Sequence, residues 1–131
     1  MRKRIRVVIC NSSPMLRKGI QALCRQEASS LEIVGEAQTG KQAIEQVKRT
    51  QPDVVLMDVV TPELSAAEAI RRMKTIRPRV MVLMLTLHDN KAMIERCLEA
   101  GASGLISDDV SMPQLERRIT ALYNAHYRRA A

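Results

Sequence analysis

Runs of apolar residues alternate regularly with amphipathic segments along the chain. Five short apolar runs predict five β-strands, at residues 5–10, 31–37, 54–57, 80–85 and 103–106. The runs at 54–57 and 80–85 are apolar at every position, which is typical of parallel strands covered on both faces. The pattern therefore predicts a parallel sheet with helices on each side.

The segments between the strands carry helix start and stop signals. Pro14 follows Ser12 and Ser13, as a first-turn proline follows its capping residue. Thr-Gly-Lys-Gln at 39–42 and Ser-Ala-Ala-Glu at 65–68 match the capping-box pattern. Ser-Met-Pro-Gln at 111–114 begins the last helical segment, and Gly101 is placed to end the fourth. Five successive βα units favour an α/β fold with one open sheet.

The chain has 131 residues, of which 46% are hydrophobic and 27% charged. This length and mixture predict a single globular domain over residues 1–131. Membrane insertion is not expected, because no run approaches the roughly 18 apolar residues of a spanning helix. The cysteine count is three, and an odd count fits a reducing compartment, so we expect a cytoplasmic protein.

Positive charge is concentrated near the start of the sequence. The formal net charge is +7, and residues 1–30 contain seven basic residues against one acidic residue. Such a patch can attract nucleic acid or an acidic partner. Phe and Trp are absent, so no stacking platform for bases accompanies the charge. A solvated basic surface is therefore favoured over a nucleic-acid site.

Candidate chemistry lies where the predicted strands end. In open parallel sheets, sites form at the carboxyl ends of the strands. Asp58 follows the third strand directly, and Thr86 follows the fourth. A carboxylate at this position can act as a nucleophile toward phosphate, a metal ligand or a structural group. Thr86 can donate a hydrogen bond to an anion held beside Asp58.

Several segments together resemble a known family, the bacterial response-regulator receiver domains of the NarL/FixJ subgroup. The resemblance covers about residues 5–122 and implies a flavodoxin-like fold with strand order 2-1-3-4-5. Members of this subgroup usually precede a LuxR-type helix-turn-helix output domain. The matching segments are Ile-Arg-Val-Val-Ile at 5–9, Pro-Met-Leu-Arg-Lys-Gly at 14–19, Val-Gly-Glu-Ala at 34–37, Pro-Asp-Val-Val-Leu-Met-Asp at 52–58, Leu-Thr-Leu-His-Asp at 85–89 and Glu-Ala-Gly-Ala-Ser-Gly at 99–104.

The family's chemistry is phosphorylation of an aspartate supported by Mg²⁺. By match, Asp58 is the phosphoacceptor, Thr86 the switch hydroxyl and the carbonyl of Val60 a metal ligand. The family places two acidic residues after the first strand, where this chain has Asn11 and Ser12.

The fifth strand departs from the family pattern as well. Asp108 stands at the position of the family's lysine, and Leu105 replaces its aromatic switch residue. Mg²⁺ prefers carboxylate oxygens in octahedral order, and two of them are missing. Asp108 would repel Asp58 or its phosphate where the lysine would neutralise it. We therefore interpret the chain as a degenerate receiver that binds Mg²⁺ weakly or not at all.

The function expected from this interpretation is signal transduction or transcriptional regulation without phosphorylation. The domain would act as an interaction and dimerisation module, would not be an enzyme and would need no cofactor. A sensor kinase or another regulatory protein is a possible partner. DNA contact is expected only through an output domain absent from this chain. Interface candidates lie on the first and last helices: Arg17, Lys18, Arg117, Arg118, Tyr123 and Tyr127.

Three alternatives remain open at this point. In the first, the chain is a slow but functional receiver that uses Asp58, with Asn11 and solvent holding the metal. In the second, Asp58 and Asp108 bind a metal together. In the third, the altered crevice binds a regulatory ligand. In this third alternative, hydroxyl groups would supply hydrogen bonds to the ligand and the N-terminal basic residues would supply charge. The hydroxyl candidates are Ser12, Ser13, Thr86 and Ser107.

Overall fold

The computed structural model describes residues 4–26, 29–58, 64–86, 91–107 and 109–130. Five strands and five helices alternate along the chain: β1 (Ile5–Cys10), α1 (Pro14–Cys24), β2 (Leu31–Ala37), α2 (Gly40–Thr50), β3 (Val54–Asp58), α3 (Ala66–Ile76), β4 (Met81–Thr86), α4 (Lys91–Ala100), β5 (Gly104–Ser107) and α5 (Met112–Ala130). The strands form one parallel sheet in the order β2-β1-β3-β4-β5. The predicted fold and strand order are confirmed.

Alternate residues of the central strands supply two hydrophobic cores, because successive side chains point to opposite faces of a sheet. On one face, residues such as Val8, Val55 and Met84 pack with buried side chains of α2, α3 and α4. On the other, residues such as Ile9 and Leu56 pack with α1 and α5. Burial on both faces explains why the central strands are apolar at every position.

The helix termini follow the capping signals in the sequence. The hydroxyls of Ser13, Thr39 and Ser65 cap α1, α2 and α3, each accepting a hydrogen bond from a backbone N–H three residues later. At α5 the capping is reciprocal, since Gln114 N donates to Ser111 Oγ and Ser111 N donates to Gln114 Oε1. Gly101 has φ +120°, which favours glycine after α4.

Two observed bounds are informative. β3 continues one residue past its predicted end, to Asp58, whose Cα still pairs with that of Leu85, so the candidate carboxylate belongs to the strand itself. α5 runs to Ala130 and therefore contains Tyr123 and Tyr127, which the sequence placed on the last helix. The Tyr127 hydroxyl lies within hydrogen-bonding distance of the Asp53 and Arg79 carbonyls, which holds the end of α5 against the sheet.

Candidate functional site

The carboxyl ends of β1, β3 and β4 bring the predicted site residues to one edge of the sheet. Asp58 ends β3, Asn11 follows β1 directly, and Thr86 ends β4. Thr86 pairs with Ser107 of β5, next to the pair formed by Asp58 and Leu85. The side chain of Thr86 lies outside the described part of the structure, so only its position on the strand is established.

Asn11 has a defined orientation in this crevice. Its side-chain oxygen accepts a hydrogen bond of 2.7 Å from the backbone N–H of Ser13. Its side-chain nitrogen donates to Oδ2 of Asp58 across 3.4 Å. Asn11 is only 8% exposed, so protein groups determine which way the amide faces. The amide therefore presents N–H groups, and not its carbonyl, to the carboxylate of Asp58.

Arg17 of α1 reaches the same loop from the other side. Its Nη1 donates to the backbone oxygen of Asn11 at 2.5 Å, and its Nε forms an ion pair with Oε1 of Glu36 at 3.2 Å. Gln21 also donates from Nε2 to Oε2 of Glu36. The sequence predicted an interface role for Arg17 and no role at this edge of the sheet. The signal for its position here is Glu36, which lies beside Ile9 in the register of β2 on β1, one step from the end of each strand.

Cys10 lies near Asp58 and does not add a metal ligand at neutral pH. Burial, and to a smaller extent the negative charge of Asp58, together raise the pKa of the Cys10 thiol to about 12. The thiol donates weakly to the backbone oxygen of Thr39 at 3.5 Å. Because only the thiolate is a good ligand or nucleophile, Cys10 is a packing residue at this edge. Cys24 and Cys97 are also buried.

The β5 side of the crevice is only partly described. The Ser107 hydroxyl donates to Oδ1 of Asp109 at 2.6 Å, so its hydrogen bond stays within the β5–α5 turn. Leu105 is half-buried against the core on the side of α2, α3 and α4. Asp108 and Val60, both predicted to bear on the site, lie outside the described residues.

Arg4 and Arg6, the described basic residues at the start of the chain, make their contacts away from this crevice. Arg6 donates from its backbone N to Oδ2 of Asp53 and from Nη1 to Gln51 O, while Arg4 donates to Cys24 O. These contacts lie at the amino end of β1, about 17 Å from its carboxyl end. The expectation that the N-terminal basic residues supply charge to the crevice is therefore wrong for Arg4 and Arg6.

The interface candidates lie on the α1 and α5 side of the sheet. Lys18, Arg117 and Arg118 are exposed. The rings of Tyr123 and Tyr127 have centroids 4.5 Å apart and planes inclined by 44°, and Arg79 lies 5.6 Å from the centre of the Tyr127 ring. The Tyr127 ring therefore contributes to packing at the end of α5, and Arg17 is enclosed, whereas the side chains of Lys18, Arg117 and Arg118 face solvent.

The donor set for a cation at this edge is small. Within the described ranges, no three His, Cys, Asp or Glu side chains form a group that could hold a metal ion. Asp58 is half-buried at the end of its strand. Beside it lie the N–H groups of Asn11 and the protonated thiol of Cys10. Of these two groups, Asn11 donates to the Asp58 carboxylate, whereas the Cys10 thiol donates to the backbone oxygen of Thr39.

The strand order and the aspartate at the end of β3 define a receiver-type α/β domain. Residues 7–120 match the response regulator receiver domain family, and the chain belongs to that family. This confirms the resemblance proposed from the sequence.

Among the helices that the structure describes, none is both long enough and apolar enough to cross a membrane.

The relatives and solved structures agree on this family. The chain is 31% identical over 120 residues to the transcriptional regulatory protein LnrK of Bacillus subtilis (strain 168), covering 92% of this chain and 54% of LnrK. It is similar to the receiver domain of the putative response regulator NarL from Mycobacterium tuberculosis, with a TM-score of 0.84, 26% identity and coverage of 93% and 98% of the two chains.

A second solved structure, the CheY-like receiver from Methanospirillum hungatei, has a TM-score of 0.85 at 17% identity and covers 97% of this chain and 99% of its own, which supports the fold alone. The chain spans about half the length of the curated relatives that it matches.

Proposed function

We propose that this receiver domain acts in signal transduction and transcriptional regulation without phosphorylation of Asp58. It would be a cytoplasmic interaction module that works through protein contacts and homodimerisation, would catalyse no reaction and would bind Mg²⁺ weakly or not at all. The observation that carries this proposal is the orientation of Asn11, whose amide donates toward Asp58.

The donor set beside Asp58 does not fit Mg²⁺. This ion needs oxygen ligands in near-octahedral geometry and usually takes one or two carboxylates from the protein. An N–H group cannot coordinate a cation. The side-chain oxygen of Asn11 faces away from Asp58 and accepts a hydrogen bond from the Ser13 N–H. Rotating the amide would leave the Ser13 N–H without that partner, at a cost of about 0.5–1.5 kcal/mol because Ser13 is exposed to solvent.

The same rotation would bring the Asn11 oxygen toward the Asp58 carboxylate, where two acceptors face each other. A bound cation would have to offset both costs with fewer charged ligands than the family's site supplies. The orientation of Asn11 therefore supports weak binding of Mg²⁺, and with it the loss of the ion that assists phosphoryl transfer in the family.

A second candidate function is a slow receiver that still uses Asp58. The half-buried position of Asp58 at the end of β3 favours it, because the carboxylate remains within reach of a phosphodonor. The two proposals differ in whether an acyl-phosphate mimic occupies the site.

The test is an amide NMR titration of ¹⁵N-labelled protein, first with Mg²⁺ and then with Mg²⁺ and beryllofluoride. The Asp58→Asn variant is the control, since it removes the acceptor carboxylate. We expect signals near Asp58 and Asn11 to remain unchanged in a well-dispersed spectrum. Saturable shifts that are absent from the control would overturn the proposal in favour of the slow receiver. Sedimentation equilibrium on the same samples would test homodimerisation, which a strictly monomeric protein would contradict.

A further inference from the structure

A chain of polar contacts joins the Asp58 crevice to the edge strand β2. Arg17 donates to the backbone oxygen of Asn11 at 2.5 Å and pairs with Glu36 at 3.2 Å. Gln21 binds the second oxygen of the same carboxylate. The Arg17 side chain is 13% exposed and that of Glu36 is 39% exposed. The guanidinium is thus enclosed and bound at both ends, and Asn11 links it to Asp58.

We propose that Arg17, fixed by Glu36, is a positioning residue that holds Asn11 with its amide N–H groups toward Asp58. This inference rests on the proposed function, because it explains how the donor orientation of Asn11 is maintained. The backbone carbonyl of Asn11 belongs to the peptide plane that leads into Ser12. When Arg17 binds this carbonyl, it also holds the turn in which the Asn11 side chain accepts a hydrogen bond from Ser13.

The geometry of arginine suits this task. Its guanidinium is planar and permanently charged, and its donors are held in a rigid fork. One donor meets the Asn11 carbonyl while another meets Glu36, so the fork spans the gap between the β1 loop and β2. Lysine has a single ammonium on a flexible stem and cannot hold both acceptors in one plane.

The glutamate defines the direction of the guanidinium. Without Glu36, the Arg17 side chain would lose its ion pair and gain rotational freedom, since the other described contact is one bond to Asn11. Removing the charge of Glu36 should therefore loosen Asn11 through Arg17. The effect of Glu36→Gln on Asn11 should be smaller than the effect of removing the Arg17 guanidinium. In Glu36→Gln, Nη1 of Arg17 can still donate to the backbone carbonyl of Asn11.

The experiment compares Arg17→Met and Glu36→Gln with wild type by NMR. Two quantities report on Asn11: hydrogen exchange of the Ser13 amide, and the chemical shifts of the Asn11 side-chain NH₂ group. In wild type, those shifts should differ from the shifts in Asp58→Asn, which lacks the acceptor carboxylate. In Arg17→Met, we expect the NH₂ shifts to move toward the Asp58→Asn values and Ser13 exchange to be faster by about tenfold or more, as for a lost hydrogen bond to a charged group.

Lys18→Met is the matched control, because it removes the same charge from the next position of α1, where the side chain is exposed. It should leave both quantities unchanged. Arg17→Lys keeps the charge without the fork and should behave like Arg17→Met, which covers the case in which the methionine variant does not fold.

The proposal is overturned if Asn11 and Ser13 respond in the Arg17 and Glu36 variants as in wild type, or if Lys18→Met has an equal effect. These outcomes are separate from the Mg²⁺ and beryllofluoride titration of wild type. That titration tests the proposed function without any change to Arg17.

Discussion

Replacing Asn11 with aspartate should convert a hydrogen-bond donor beside Asp58 into a second negative charge. The change is nearly isosteric, so its consequences are mainly electrostatic. It removes the N–H that donates across 3.4 Å and places a carboxylate oxygen near the same position. We expect Asn11→Asp to lower the free energy of unfolding at neutral pH without Mg²⁺, and to increase the affinity for Mg²⁺.

The magnitude follows from that separation. Two unit charges 3.4 Å apart repel by about 5 kcal/mol at an effective dielectric of about 20, and by about 1 kcal/mol in bulk water. Asp58 is half-buried, so solvent screens part of the repulsion. We therefore expect a loss of about 1–3 kcal/mol.

Urea denaturation at pH 7, with and without Mg²⁺, measures the effect. The double variant Asn11→Asp/Asp58→Asn is the control, because it keeps the new charge without the repulsion. A variant as stable as wild type at pH 7 without Mg²⁺, or one that gains nothing from added Mg²⁺, would refute the electrostatic reasoning.

Three further predictions concern stability. Tyr127→Phe should lose about 1–2 kcal/mol in urea denaturation, because the hydroxyl bonded to the Asp53 and Arg79 carbonyls is removed; an equal loss in Tyr123→Phe would contradict this. The pKa of the Cys10 thiol is raised from 9.0 to about 12. The stability that the buried thiol contributes should therefore be full below pH 9 and decline between pH 9 and 12. A Cys10→Ala variant with the same profile of stability against pH would show that another group is responsible. Gly101→Ala should cost about 1–2 kcal/mol, because φ is +120° and the new Cβ would lie 3.2 Å from Lys74 Cγ; a thermal melt matching wild type would contradict this account.

Much of the fold could be predicted because hydrophobic burial has a simple signature in this architecture. The runs at 54–57 and 80–85 are apolar throughout, as expected of strands between two layers of helices. Capping residues such as Ser13 and Ser65 bond to backbone groups three residues later, so their role can be predicted from a few neighbouring positions. The contact that holds the end of α5 was less predictable, since it depends on Tyr127 meeting carbonyls 48 and 74 residues away in sequence.

The site could be predicted only in part. The sheet topology brings Asp58 and Asn11 to one edge, and strand periodicity was enough to anticipate that. Which way the Asn11 amide faces depends on a local turn contact with Ser13 and on the Arg17–Glu36 pair. The pairing of Arg17 with Glu36 is a three-dimensional contact that leaves no local pattern in the sequence. The placement of Arg4 and Arg6 at the opposite edge likewise follows from strand direction, which charge counting along the sequence ignores.

The central claim is that Asp58 does not accept a phosphoryl group in this domain. Its most direct test is intact-mass spectrometry after incubation with Mg²⁺ and acetyl phosphate, a small-molecule phosphodonor, with Asp58→Asn treated in parallel. The account predicts an unchanged mass for both proteins. An adduct of one phosphoryl group on wild type, absent from the variant, would contradict it and identify a working receiver.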